Sequence, residues 1–381
     1  MRPYLKTAVS SVLLLLFVLT GSYFSSSMWK DKEEKAGLAG PLVYSAGMTA
    51  AEFAAANNLP EEVASAAYGS RMSAPIYYGE LPEDGLRATV ERELALHNEA
   101  ASKNWLKIAL KFIMWAAFLL AVFPLLRRGL MKGALRNWFY FAAVLIFGVA
   151  LGADPSPMGT VKDAIVLYGE SGVVFLPRLK ALAVFLLLVV LANKFICSWG
   201  CQLGVLQDLL FRLGRAGDLK RWRLPFALTN TVRILFFIAL VLGAMLGLDI
   251  VAPVDPFKIY SPLALGVWGA GFITLLLAAS LFLYRPWCHL FCPFGLVGWL
   301  AEKISVYKVR VDYAKCVACG ACERACPSTV MGAILRRDRA IPDCFACGDC
   351  LAACPAGAVS FSAGRRQLPP AGKFEKVKIS T

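Results

Sequence analysis

Six stretches of this chain are apolar enough to cross a bilayer, a task that takes an α-helix about 20 residues. Thr7 to Trp29 and Ile259 to Tyr284 carry no charge, and Asn137 to Ala153 is shorter but equally clean. Leu224 to Leu248 holds one charge, Arg233. Leu106 to Leu126 carries Lys107 and Lys111 near its start, and Leu176 to Ile196 carries Arg178, Lys180 and Lys194 toward its ends. Long basic side chains in such places can snorkel to the interface. The chain is 58% hydrophobic and only 17% charged, whereas soluble domains are about a quarter charged. The expected fold is therefore mainly α, a polytopic helical membrane domain with six spans.

The net charge of +14 invites a nucleic-acid reading, but its placement argues otherwise. Residues 25–104 hold 7 basic and 12 acidic side chains, and 154–175 hold one basic and three acidic. Residues 127–137 hold four basic and no acidic, 193–223 six basic and two acidic, and 285–381 fourteen basic and seven acidic. Basic residues thus alternate with the spans. By the positive-inside rule both termini face the cytoplasm, and the protein is expected in the inner (cytoplasmic) membrane. Lys107, Lys111, Arg178 and Lys180 run against the rule. Arg336, Arg337, Arg339 and the basic tail from Arg365 to Lys378 then face anionic lipid or an acidic redox partner. No nucleic acid is expected as a partner.

Residues 1–29 form a membrane anchor in this reading, retained rather than cleaved because no Ala-x-Ala site follows the apolar run. Residues 30–104 form an extracytoplasmic segment. There Thr49-x-x-Glu52 is a capping box, and Pro60-Glu61-Glu62 starts a second helix with Gly69 as its stop. The segment is either a helical docking module or a tethered linker with local helices. His97, alone in it, reads as a solvated side chain. Residues 105–307 form the membrane domain, 308–362 a soluble α+β domain, and 363–381 a basic cytoplasmic tail.

All twelve cysteines fall in motifs. Cys316-x2-Cys319-x2-Cys322-x3-Cys326-Pro327 recurs 28 residues later as Cys344-x2-Cys347-x2-Cys350-x3-Cys354-Pro355. This is the spacing of a bacterial ferredoxin with two [4Fe–4S] clusters, in which the fourth cysteine of each run serves the other cluster. Cys316, Cys319, Cys322 and Cys354 should then hold one cluster, and Cys344, Cys347, Cys350 and Cys326 the other. Gly320 and Gly348 permit the tight winding of each loop. Structural zinc would need no such pair of identical runs, and a disulfide framework would need an oxidising compartment.

The other four cysteines form a second repeat. Cys197-Ser-Trp-Gly-Cys201-Gln-Leu-Gly204 and Cys288-His-Leu-Phe-Cys292-Pro-Phe-Gly295 follow the fourth and sixth spans, 91 residues apart. Spacing of i, i+4 puts both sulfurs on one face if the helix continues. Pseudo-symmetric packing would bring all four together at the inner membrane face. They are metal ligands for a third iron–sulfur cluster, redox-active thiols, or inert small residues. His289 is a partner of that site or of lipid phosphate or backbone. The amphipathic stretches Gly204 to Leu213 and Leu296 to Val306 are expected along the inner interface.

From Asn137 to Ser362 the chain resembles the membrane polyferredoxins related to NapH and NosR, with CcoG-type proteins as more distant relatives. Cys288, Cys292, Pro293 and Gly295 carry the resemblance, as do Cys197, Trp199, Cys201 and Gly204, although Gln202 stands where the family has proline. The outer segment is too short for a NosR-like flavin-binding domain. The resemblance implies electron transfer at the membrane, linked to a quinone or quinol and a redox protein partner, as in a quinol dehydrogenase component. No nucleophile–base constellation or nucleotide fingerprint is present, and the chain's two histidines fall on opposite sides of the membrane. An acid in Asp154-Pro155 or Asp255-Pro256 could take protons from a quinol, or both pairs are turn chemistry. The competing function is an accessory, maturation or redox-sensing factor that keeps a respiratory metalloenzyme reduced or assembled.

Overall fold

The computed structural model describes residues 3–29, 37–38, 40–44, 48–68, 83–216 and 219–374. Helix α1 (Pro3–Met28) is followed by a module of α2 (Ala50–Ala56), α3 (Glu61–Tyr68) and α4 (Glu83–Ala101). The capping box is present: Glu52 N–H donates to Thr49 Oγ1 at 3.2 Å, and Thr49 N–H to Glu52 at 2.8 Å. Phe53, Leu59, Val63, Leu86, Val90 and Leu94 pack into a core separate from that of the spans. The three helices are thus held by their own apolar burial. His97 is half-buried here and faces Glu62 at 3.7 Å. Gly69, the expected stop of α3, and the tail beyond residue 374 lie outside the described residues.

Helix α5 (Trp105–Arg127) leaves the module, and α6 (Gly133–Ala143), prolonged by a π-helical segment through Ala150, returns to it. Ser25 and Trp29 at the end of α1 both donate to Ala150 O, which aligns these ends on the module side. Then come α7 (Pro157–Ser171), α8 (Leu176–Ala192), α9 (Phe195–Trp199), α10 (Gln202–Ala216) and α11 (Phe226–Met245). Three short 3-10 turns precede α12 (Val267–Ala279), α13 (Pro286–Leu290) and α14 (Pro293–Ala301).

Four of these helices are long and apolar enough to cross a membrane: α1, α5, α6 with its continuation, and α11. The other two expected spans are shorter than the sequence suggests. Leu176–Ile196 stops at Ala192, where Asn193 turns to φ 60. Ile259–Tyr284 contains only the 13 residues of α12, because Pro256 and Pro262 open 3-10 turns before it. The segment expected as an outer loop, Asp154 to Phe175, instead holds α7, and Pro157 through Lys162 are buried in the bundle. Its boundary chemistry is ordinary: Ser156 caps it, Pro157 fills the first position, and Gly172 at φ 63 ends it.

The amphipathic stretch after Cys201 does not lie on the inner interface. Every residue from Gln202 to Phe211 is buried, since α10 runs down through the bundle from the Gly152–Ala153 loop to Thr7 at the start of α1. The stretch after Cys292 keeps an exposed apolar edge at Leu300 and Ile304.

The C-terminal domain is α+β, as expected. Strand β1 (Tyr307–Val311) pairs antiparallel with β2 (Val359–Ala363), Val309 opposite Phe361. Between them lie α15 (Ala321–Ala325), α16 (Val330–Arg336) and α17 (Asp349–Ala353). Phe123 near the end of α5 packs on both Tyr307 and Phe361, so the sheet sits against the end of that span.

Candidate functional site

The two ferredoxin-like loops are copies in backbone as well as in sequence. Ala318 and Gly320 take φ 54 and 69, and Ala346 and Gly348 take φ 50 and 81. These left-handed residues wind the chain back before α15 and α17, which carry Cys322 and Cys350 in their first turns. Cys316, Cys319, Cys322 and Cys354 line one cavity, so the remote cysteine does come from the other run. Burial pushes the Cys322 thiol up to about 11, and Cys354 and Cys316 add to the rise. Cys350 is raised well above its ordinary range, first by burial and then by Cys326, Cys347 and Cys344. Thiols crowded in this way ionise together only if positive charge sits among them, which the irons of a cluster supply. The donor sets therefore fit the groups that the spacing implies. Among the described residues, no three His, Cys, Asp or Glu side chains are grouped closely enough to hold a single ion. Thiols facing one another across a cavity suit a multi-atom cluster better.

Cys197, Cys201, Cys288 and Cys292 also line one cavity. Its volume is about 20 Å³, the same as that of the Cys316 cavity. The two motifs are built alike. Gly200 and Cys201 N–H both donate to Ile196 O, and Phe291 and Cys292 N–H both donate to Trp287 O, the same pattern 91 residues on. The helix does not continue through either motif. It breaks at the second cysteine, and a new helix starts there. The first-turn N–H groups of Leu203 and Gly204 aim at Cys201, and that of Gly295 aims at Cys292. A Cβ on Gly204 would lie 2.7 Å from Cys197 O, and one on Gly295 2.7 Å from Cys288 O. Both positions therefore exclude a side chain.

The depth of this cavity corrects the expectation of a site at the inner face. Trp115, midway along α5, donates to Gly200 O at 2.9 Å. Met158 and Phe257, which enter from the module side, line the cavity together with Phe345 of the C-terminal domain. The four sulfurs thus sit at mid-span, between both halves of the molecule. Gln202, in place of the family proline, donates to Ala153 O at 2.8 Å and ties the first motif to the module side.

Fixed cations surround the cavity. Lys194 and Arg285 each stand three residues before the first cysteine of a motif. Lys194 donates to Gly295 O at 2.6 Å and Arg285 to Cys197 O at 2.7 Å, so each reaches across to the other motif. Arg233 also donates to Gly295 O, at 3.2 Å. Asp343 pairs with both Lys194 and Arg233. Burial would push its carboxyl up, but Lys194 and then Arg233 outweigh this and hold it at about 2. A second clamp joins Asp349 to Arg136 and Arg212, and Arg212 and Arg285 to Asp208. The repeat offset of Lys194 and Arg285 was readable in the sequence. Their carboxylate partners were not.

The cluster loop and the membrane motif touch. Trp199, between Cys197 and Cys201, donates to Ala346 O, between Cys344 and Cys347, at 3.2 Å. Phe345 borders the four-cysteine cavity on that side. His289 Nδ1–H donates to Arg285 O at 3.2 Å, and the ring packs on Phe345, so its partners are backbone and an aromatic ring. At the other end Cys319 is exposed. Asp255 has a turn role, accepting from Phe257 N–H at 2.9 Å and meeting Lys162 at 3.3 Å.

Comparison with known proteins agrees with this geometry. Residues 308–355 match the 4Fe-4S dicluster domain family, and residues 176–220 and 265–311 match a 4Fe-4S binding domain family that covers both membrane motifs. Across these segments the chain is similar to membrane ferredoxin-type proteins, among them NapH and NosR. YccM of Escherichia coli, a putative electron transport protein, is 28% identical over 39% of this chain and 45% of its own length. The ferredoxin-type protein NapH of Escherichia coli is 26% identical over 39% of the chain and 52% of its own length. The regulatory protein NosR of Pseudomonas aeruginosa is 28% identical over 34% of the chain and 19% of its own length. The chain thus spans about half or less of these relatives. No solved structure matches it. The matched regions are thus of 4Fe-4S type, and four helices among the described residues are long and apolar enough to cross a membrane.

Proposed function

We propose that the chain passes electrons between a quinone in the membrane and a redox protein, with the ferredoxin domain and both termini in the cytoplasm. Cys316, Cys319, Cys322 and Cys354 hold one [4Fe–4S] cluster. Cys344, Cys347, Cys350 and Cys326 hold the second. Cys197, Cys201, Cys288 and Cys292 hold a third at mid-span. The clusters supply one-electron chemistry at potentials set by burial and by hydrogen bonds to sulfur. The protein supplies position: Lys194, Arg233 and Arg285 balance thiolate charge in the bilayer, and the helix N-termini of α10 and α14 aim N–H groups at Cys201 and Cys292. The observation that carries the reading is the contact of Trp199 and Phe345 between the mid-span motif and the cluster loop. It orders the sites from mid-span, through the Cys344 loop, to the exposed Cys319.

Iron content tests this. Purified without oxygen, the chain should hold about twelve irons. With Cys197, Cys201, Cys288 and Cys292 all replaced by Ser it should hold about eight, with the ferredoxin spectrum intact. Eight irons in the unaltered chain would reduce the mid-span set to thiols without a cluster. Zinc in place of iron would end the reading.

A further inference from the structure

A cleft of about 290 Å³ opens beside α7 on the module side, near the lower end of the size that small organic ligands occupy. Its walls are apolar: Ile108 and Phe112 from α5, and Phe175, Ala181 and Val184 from α8 and its approach. Asp154, Asp163 and Arg178 gather at its polar end. Val184 is 43% exposed, and Leu187 and Leu191, one and two turns on, are exposed as well, so the mouth faces the lipid phase.

The first turn of α7 is shared between this cleft and the four-cysteine cavity. Ser156, Gly159 and Thr160 line the cleft, while Pro157 and Met158 line the cavity. One helix width, about 10 Å, therefore separates the two. A second link runs through the backbone. Gln202 Nε2 donates to Ala153 O at 2.8 Å. Cys201 precedes that glutamine, and Asp154 follows that alanine. An apolar chamber with a lipid-side mouth, a carboxylate end and a sulfur site behind one wall suits a lipid-soluble carrier of both electrons and protons.

We infer that this cleft is where a quinol binds and is oxidised. The inference rests on the electron-transfer reading above and locates its membrane substrate. The quinol loses both O–H protons and two electrons and leaves as the quinone. The electrons pass singly to two oxidised [4Fe–4S] clusters of the chain, each reduced by one. The protons pass to the carboxylates of Asp154 and Asp163. Asp163, with its side chain 29% exposed, hands them to water on the module side.

The test uses the full chain in lipid nanodiscs without oxygen and a short-chain azido-quinone as photolabel. Label should fall on peptides spanning 105–112 and 175–184, and a short-chain benzoquinol should compete it away. Ala181→Phe and Ile108→Phe narrow the cleft from opposite walls. Each should cut labelling and cluster reduction by the benzoquinol at least tenfold, with iron content and reduction by dithionite unchanged. If a variant loses iron, the label map of the unaltered chain decides alone. Label on the groove lined by Trp138 and Arg212 on the ferredoxin side would overturn the proposal. So would unchanged labelling in both variants, or displacement by phospholipid but not by quinol. Those results leave the electron-transfer reading standing. It falls separately if dithionite cannot reduce clusters in the unaltered chain.

Discussion

Single side chains hold the soluble domain onto the spans. Asp343 is 1% exposed and bonded to two buried cations. Removing one partner of a buried pair leaves charge without compensation, at a cost of about 3–5 kcal/mol. Asp343→Ala should loosen docking by about that much, seen as faster amide exchange across β1 and β2 and earlier loss of iron. Exchange equal to that of the unaltered chain would show that the pair is not a clamp. Trp199→Phe keeps the ring but removes the N–H to Ala346 O. It should cost about 1 kcal/mol, with faster exchange confined to residues 344–350 and slower electron passage from the spans to the ferredoxin clusters. At this scale the grouping of Cys316, Cys319, Cys322 and Cys354 was legible, because the spacing of each run is local in sequence. Asp343 and Asp208 were not, because their partners lie far away along the chain and nothing near either residue marks it as buried.

At the scale of elements, the two glycines after the membrane motifs carry the sharpest prediction. Gly204 and Gly295 let α10 and α14 start directly against the carbonyls of Cys197 and Cys288. A methyl group there meets backbone, which cannot move aside cheaply. Gly295→Ala should lower iron from about twelve to about eight per chain while the ferredoxin signals persist. Full iron in that variant would mean that the site tolerates the shift. The capping box of α2 and the stop signals of α7 were readable from residue type. That α7 dips into the bundle was not, since its polar positions resemble those of a surface helix. What the pattern lacks is the wall that covers them: α7 packs against α11 and α14, distant in sequence. The misplacement of α10 has a similar cause. Amphipathic periodicity identifies an apolar face, but Gln207 and Asp208 on its polar face are buried too, bonded within the protein instead of to water.

The whole molecule spans from a packed helical module to a docked ferredoxin-like domain. The ends of α1 and α6 meet at Ala150 on one side, and Arg136 meets Asp349 on the other, which sets the relation of the two halves. In the proposed orientation, the basic loops put the ferredoxin half in the cytoplasm. A C-terminal reporter that works only in the cytoplasm should be active, and one inserted in residues 69–82 should not. The reverse result would invert the whole arrangement, including the side on which protons leave. The true span lengths were hidden, because Asn193, Pro256 and Pro262 break helices inside apolar runs that hydropathy alone reads as continuous.

The gradient of exposure along the sulfur sites has a consequence for survival in air. Cys319 meets solvent, whereas all four mid-span cysteines are buried. Dioxygen dissolved in water attacks first what it can reach. In the proposed arrangement the protein should therefore corrode from its tip inward, and brief aeration should strip the Cys319 centre before the one proposed among the helices.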